Sequence, residues 1–221
     1  MSPWLVIAGV LALLALSMAL LAAARRLGAP AEATRKLLHV EMGLVTLGFP
    51  WWFSDAWPVL VLAGAAIGWF AAVRAAEVLA ALFGAVLRSC SRESLGEIWF
   101  VAGVCLAFLV SAGNPATYCI AILVLTFADT AAALVGHRFG SQRRMPGGGS
   151  KSLEGCAAFL VVSFGVVVLV LTAGLGASIG EALRVALVVG VVTTVLEAVL
   201  ARGLDNLFVP LGALAALRMA A

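Results

Sequence analysis

The chain has 221 residues, 64% hydrophobic and 11% charged, with a mean hydropathy of +1.15. Soluble domains lie nearer half apolar and a quarter charged, so this composition excludes a water-soluble globular protein and puts nearly the whole chain in a bilayer. The net charge of +3 is modest and predicts no nucleic-acid partner. Apolar runs of roughly 15–22 residues without dyad alternation predict helices rather than a barrel. No polar block is long enough to fold separately, so residues 1–221 are expected to form a single all-α, polytopic membrane domain.

The first expected helix, Pro3–Ala24, ends at Arg25-Arg26. It has no basic segment before it and no small-residue cleavage site in a polar context, so it reads as a mature helix and not a signal peptide. A link with Gly28 and Pro30 follows, with Thr34 as a candidate cap for a second helix running from Arg35-Lys36 through His39 to about Phe53. Trp51-Trp52-Phe53 with Trp57 marks the opposite interface, where indole rings prefer to sit. A third helix from Trp57 is expected to reach Val73 and to continue past Arg74 and Glu77 to Leu87 as a long or surface-lying segment.

Further helices are expected at Glu97–Val110, Ala116–Gly136, Glu154–Ala173 and Glu181–Ala201, with Asn114-Pro115 marking a tight turn. The short segment Leu207–Leu217 is a half-helix or a tilted eighth span. That gives seven crossings, with the eighth left open. The cysteines Cys90, Cys105, Cys119 and Cys156 form no C-x-x-C pair and read as small apolar residues. If the 25–36 link is inside, twelve of the fourteen Lys and Arg residues fall on that side, with Arg184 and Arg218 excepted. Basic residues are retained on the cytoplasmic face, so the N-terminus is expected outside and that face inside, in the cytoplasmic membrane of a bacterium-like cell.

His39, Glu41, Glu97, Asp129, Glu197, Asp205 and Asn206 all map to this cytoplasmic end. Burying a charge in a span costs roughly 2.5–3.5 kcal/mol, so such groups face a cavity or a partner. Convergence of five acids with a basic loop favours a shared site over unrelated bridges. Asp129, Ala132, Gly136 and Gly140 are spaced 3, 4 and 4 residues apart and share one helical stripe. Small-residue packing explains the stripe but not the aspartate at its head. A carboxylate beside bare backbone suits a closely approaching Mg²⁺–phosphate group.

The loop that follows combines Arg143, Arg144, Gly147-Gly148-Gly149-Ser150 and Lys151-Ser152 ahead of a helix N-terminus. This is a phosphate-binding composition, although Ser150 before Lys151 rules out a Walker A loop. Glu154 is a candidate helix cap or metal ligand. Arg35, Lys36 and His39 share the first turn of the second helix, and His39 offers either a cation for phosphate or a base. Glu197, Asp205 and Asn206 supply oxygen ligands for a hard cation; Asn206 could instead cap a helix, and Arg202 could neutralise either acid.

Arg35-Lys36-x-x-His39, the Asp129–Gly140 stripe, Lys151-Ser152-x-Glu154-Gly155, and Glu197 with Asp205-Asn206-x-x-x-Pro210 together resemble the dolichol kinase/phytol kinase family of CTP-dependent lipid kinases. Ser94-Leu95-Gly96-Glu97-Ile98-Trp99 resembles its Gly-Glu-aromatic stretch. The resemblance runs in order from the second helix to the C-terminus. It implies transfer of the γ-phosphate of CTP to the hydroxyl of a membrane lipid alcohol, with Asp129–Gly140 corresponding to the segment held to bind CTP. On that reading Asp129, with Asp205 or Glu197, holds Mg²⁺, while Lys151, Arg143 and Arg144 neutralise the triphosphate. Arg35, Lys36 and His39 place the lipid hydroxyl. The chain is short, like phytol kinases, and its Gly147-Gly148-Gly149 run departs from the family loop. The competing readings are cytidylyl transfer to a lipid phosphate, which would call for a long Asp-rich C-terminal signature, and transport of an anionic lipid, which would call for midplane acids and an internal repeat.

Overall fold

Proline, serine or asparagine starts most of the described helices. The computed structural model describes residues 2–87, 95–111, 113–141, 143–144 and 150–220, with the backbone alone at Arg143, Arg144 and Ser150. Helix α1, Pro3–Arg26, has Pro3 in its first turn and Arg25 and Arg26 in its last, so both ends suit the helix dipole. Helix α2, Ala31–Leu47, starts right after Pro30. Thr34 is therefore inside the helix and is not its cap. Its buried hydroxyl donates back to the Ala31 carbonyl at 2.9 Å. The helix also stops at Gly48, and a separate turn, Phe49–Trp52, carries the aromatic cluster.

Helix α3, Trp57–Ala75, does not continue into the next segment. Ala76 adopts an extended conformation (ψ 121°), and α4, Glu77–Leu87, sets off in a new direction. The break lets Val86 and Leu87 bury in one cluster with Met18, Phe70 and Val73, which a continuous helix would have carried away from them. Helix α5, Gly96–Val110, is followed by α6, Pro115–Phe139, whose start is capped by Asn114 accepting from the Ala116 and Thr117 amides. Helix α6 contains a π turn at Val124–Ala128, immediately before Asp129.

A two-residue antiparallel ladder pairs Arg143 with Lys151 and Arg144 with Ser150, which gives the basic loop a hairpin form that the sequence did not indicate. Ser152 then caps α7, Leu153–Gly174, by accepting from the Gly155 amide at 3.0 Å. Helix α8, Ile179–Val199, is capped by Ser178. A turn with left-handed Arg202 and Gly203 leads into α9, Asp205–Ala220, which contains Pro210.

Apart from that ladder the described chain is helical. Five helices (α1, α3, α6, α7 and α8) are long and apolar enough to cross a membrane, and α2, α5 and α9 are shorter. The segment Leu207–Leu217 is thus part of a longer helix. It packs on both α8 and α5 and so closes the bundle. The core holds Phe100, Tyr118, Ile122, Leu125, Phe159 and Val189, all buried. Tyr118 donates to the Thr46 carbonyl at 3.0 Å, pinning α6 to α2. Long antiparallel helices joined by short links bring the ends of α1, α3, α6 and α8 to one end of the bundle, together with the starts of α2, α5, α7 and α9. Lys36, His39, Asp129, Lys151, Glu197 and Asp205 meet there.

Candidate phosphate and metal site

Asp129 is the centre of the site. The π turn inserts a residue into α6 just before it, a local rearrangement that commonly accompanies a functional position. Two stripes on α2 and α6 then interlock. A Cβ on Gly43 would lie within 2.0 Å of Thr126 Oγ1, so only glycine allows α2 to approach the π turn this closely. This contact brings Lys36 and His39, three residues apart on the same face of α2, onto Asp129. Lys36 Nζ donates to Asp129 Oδ2 at 2.6 Å and to the Asp129 carbonyl at 3.2 Å. His39 Nε2 lies 3.3 Å from the same Oδ2 and 3.2 Å from the Leu125 carbonyl. Both neighbours are acceptors, so Nε2 carries a hydrogen and only Nδ1 is left to take a proton. The imidazole ring also meets Phe100 edge-on, with centroids 4.9 Å apart.

A second cluster stands beside the first. Lys151, from the hairpin, donates to Asp205 Oδ2 at 3.0 Å and to Glu197 Oε1. Burial alone would lower the ammonium's pKa, but Asp205 and Glu197 outweigh it and hold it above its ordinary value. Lys151, not Arg202, is the cation on these two acids. Oxygen atoms of Asp129, Glu197 and Asp205 all lie within 4.8 Å of one another. Three carboxylates against two ammonium groups leave one negative charge uncompensated before His39 is counted.

This donor set fits a hard divalent cation. It is all oxygen, comes from three separate elements, and already holds the Lys151 ammonium where a cation would stand. Glu154, at the start of α7, is outside this group of three and has a buried Oε2 with no hydrogen-bond partner among the described residues. The cap of α7 is Ser152, which leaves that carboxylate uncommitted.

The other predicted residues have different surroundings. Ala132 is buried, and Gly136 and Gly140 lie against Ser152: a Cβ would come within 2.9 and 2.3 Å of its Oγ. Gly155 packs from the other side, 2.9 Å from the Ala132 carbonyl by the same measure. Below Asp129 the stripe is therefore a tight seam between α6 and α7. Arg35 does not join Lys36 but forks onto Glu32 of its own helix, at 2.5 and 3.1 Å. Glu97 pairs with Arg74 at 2.7 Å. Asn206 is buried and donates to the Gly96 carbonyl at 2.9 Å, tying α9 to α5 rather than capping a helix. The side chains of Arg143 and Arg144, and Gly147, Gly148 and Gly149, lie outside the described residues.

Two features could not be read from the sequence. The π turn has no sequence signature here, and the Leu125 carbonyl contact depends on it. The Ser17–Glu41 hydrogen bond between α1 and α2 joins residues 24 apart, and only Glu41 had stood out beforehand.

Helices of bilayer length that gather buried carboxylates and ammonium groups at one end define an integral membrane protein with a cluster of paired charges inside its bundle. No family model and no solved structure matches the chain. Among curated proteins it is similar to the phytol kinase of Synechocystis sp., 34% identical over 186 residues, covering 83% of this chain and 77% of that protein. The chain belongs to the dolichol kinase/phytol kinase family of lipid-alcohol kinases.

Proposed function

We propose that the protein is a CTP-dependent kinase that transfers the γ-phosphate of the nucleotide to the terminal hydroxyl of an isoprenoid alcohol of the phytol type. The observation that carries this reading is the joint cluster: Asp129 held by Lys36 and His39, within reach of Lys151, Glu197 and Asp205. In the reaction the alcohol oxygen forms a bond to the γ-phosphorus, the phosphoanhydride bond breaks, the nucleoside diphosphate leaves, and the hydroxyl proton goes to a base. Such transfers depend mainly on positioning and charge neutralisation.

Asp129, Asp205 and Glu197 would hold Mg²⁺. Bound there, the metal would neutralise phosphate oxygens. Lys36 and Lys151 each have a further N–H to give a phosphate, and Arg143 and Arg144, whose backbone pairs with that of Lys151 and Ser150, would add their charge to the triphosphate. His39 Nδ1, or one of the acids, takes the hydroxyl proton. Ala132, Gly136, Gly140 and Ser152 set the α6–α7 seam that carries Lys151 and Glu154, and Gly149 would offer the triphosphate a backbone N–H. In this reading α2 and α5 bring the five long helices to seven crossings and α9 would make an eighth, the N-terminus is outside and the site faces the cytoplasm.

The test is purified protein with Mg²⁺, a panel of lipid alcohols, and CTP or ATP labelled at either the α- or the γ-phosphate. γ-Label entering the lipid from CTP is the expected result. Entry of α-label would replace the kinase by cytidylyl transfer.

A further inference from the structure

A cleft between α1, α2, α3 and α5 runs alongside the site and takes no part in the chemistry described above. Helix α2 lines it with Leu38, Glu41, Met42 and Val45, a stripe on a different face from Lys36 and His39. From Leu38 to Val45 the wall rises roughly 10 Å at 1.5 Å per residue, and Phe49 extends it towards the opposite end of the bundle.

Its polarity is graded. At the site end Ser17 donates to Glu41, which stands two residues, roughly 3 Å of rise, from the level of His39. The other hydroxyl in the wall, on Thr46, is bonded within its own helix to the Gly43 carbonyl. Beyond Glu41 the wall is otherwise almost wholly apolar. Phe100 lines the cleft on one side and meets the His39 ring on the other, so a single side chain separates the cleft from the Asp129 cluster. At the rim, Leu13 is 40% exposed, which opens the cleft sideways towards lipid.

We infer that this cleft holds the isoprenoid chain of the acceptor alcohol, with its hydroxyl end directed past Ser17, Glu41 and the Phe100 ring towards His39. The inference rests on the kinase reading, and it identifies where the acceptor lies and what selects it. A one-headed amphiphile matches the gradient: one polar group at the site end, a hydrocarbon tail along the wall, and entry from the membrane without passing through water.

The test uses the full-length protein in phospholipid nanodiscs and a long-chain isoprenoid alcohol bearing a diazirine near its tail end. Photolabel is expected on cleft residues such as Leu11, Met42 and Val45, to be displaced by unlabelled alcohol, and to resist excess phospholipid. Label spread over the outer faces, or equally displaced by phospholipid, overturns the assignment. Labelling needs no turnover, so the two readings fail separately. Cleft labelling without phosphate transfer would sink the kinase reading alone, and transfer with labelling elsewhere would sink the cleft alone. In parallel, Ala63→Trp fills the middle of the cleft. The ratio of kcat/KM for a long over a short prenyl alcohol should fall about tenfold, the scale on which a pocket registers lost or added methylenes. An unchanged ratio overturns the proposal.

Discussion

Asp129 and Lys151 carry charges of opposite sign, and removing Asp129 should show first in turnover, removing Lys151 in stability as well as turnover. Asp129→Asn keeps the shape but removes the charge that Lys36 and His39 grip. Its turnover should fall by about 10²–10³, the usual scale for loss of one preorganised electrostatic group. Its Mg²⁺ titration should move to higher concentration, and an unshifted titration would exclude a metal role for Asp129. Lys151→Met leaves Glu197, whose side chain is 4% exposed, and Asp205 without their cation. That should cost on the order of 3 kcal/mol, read as a lowered thermal midpoint in detergent. Adding Glu197→Gln to Lys151→Met should restore much of the midpoint but not turnover, separating the ion pair's structural part from its part in phosphate binding. Because Lys151 titrates above its ordinary value, its share of stability is fully present below about pH 10 and is lost only as pH rises through that raised value. Thermal midpoints between pH 6 and 9 should therefore show no step from this group.

The elements matter through two close approaches. Gly43 against Thr126 sets α2 on the π turn, and Gly155 against Ala132 and Gly136 sets α7 on α6. Gly43→Ala puts a methyl within 2.0 Å of Thr126 Oγ1, so α2 must shift and take Lys36 and His39 off Asp129. The expected result is a fall in kcat of about tenfold or more, since small displacements of positioned groups cost that much. The protein should still fold. Thr126→Ala added to Gly43→Ala removes the two nearest colliding atoms and should recover part of the activity. No recovery would show that the glycine serves something other than this contact. Helix α9 acts in the same way at longer range. Its Asn206 holds the Gly96 carbonyl and its Asp205 joins the cluster, so one short helix links α5 to the clustered acids.

For the whole molecule, the prediction concerns sidedness. The ion-paired end of the bundle should face the cytoplasm, because most of the basic residues lie there. In a variant without native cysteines, Ser141→Cys should react with a membrane-impermeant thiol reagent only when the cytoplasmic face is open. Ser54→Cys, in the turn before α3, should react only from the other side. The reverse pattern would put the site where no cytoplasmic nucleotide reaches it.

The sequence by itself determined the membrane class and the approximate helix positions, and it singled out the ionisable residues from which the fold then draws the cluster. Composition and run length are local properties, and a carboxylate in an apolar run is conspicuous wherever the chain goes. Asp129, Lys36, His39, Lys151, Glu197 and Asp205 were all legible on that basis. Their partners were not. Whether Asp129 meets Lys36 or Arg35, and whether Glu197 meets Lys151 or Arg202, depends on helix rotation and approach. Those are set by packing between residues 93 and 46 positions apart in the two realised pairs. The break at Ala76 and the π turn at Val124–Ala128 were likewise tertiary decisions, since burial of Leu87 against Phe70 and docking of α2 outweigh the local preference for a continuous helix. The glycine stripe shows the division clearly. The sequence placed Ala132, Gly136 and Gly140 on one face, and only the neighbouring helix, with Ser152 and Gly155 pressed into that face, decided what the face touches.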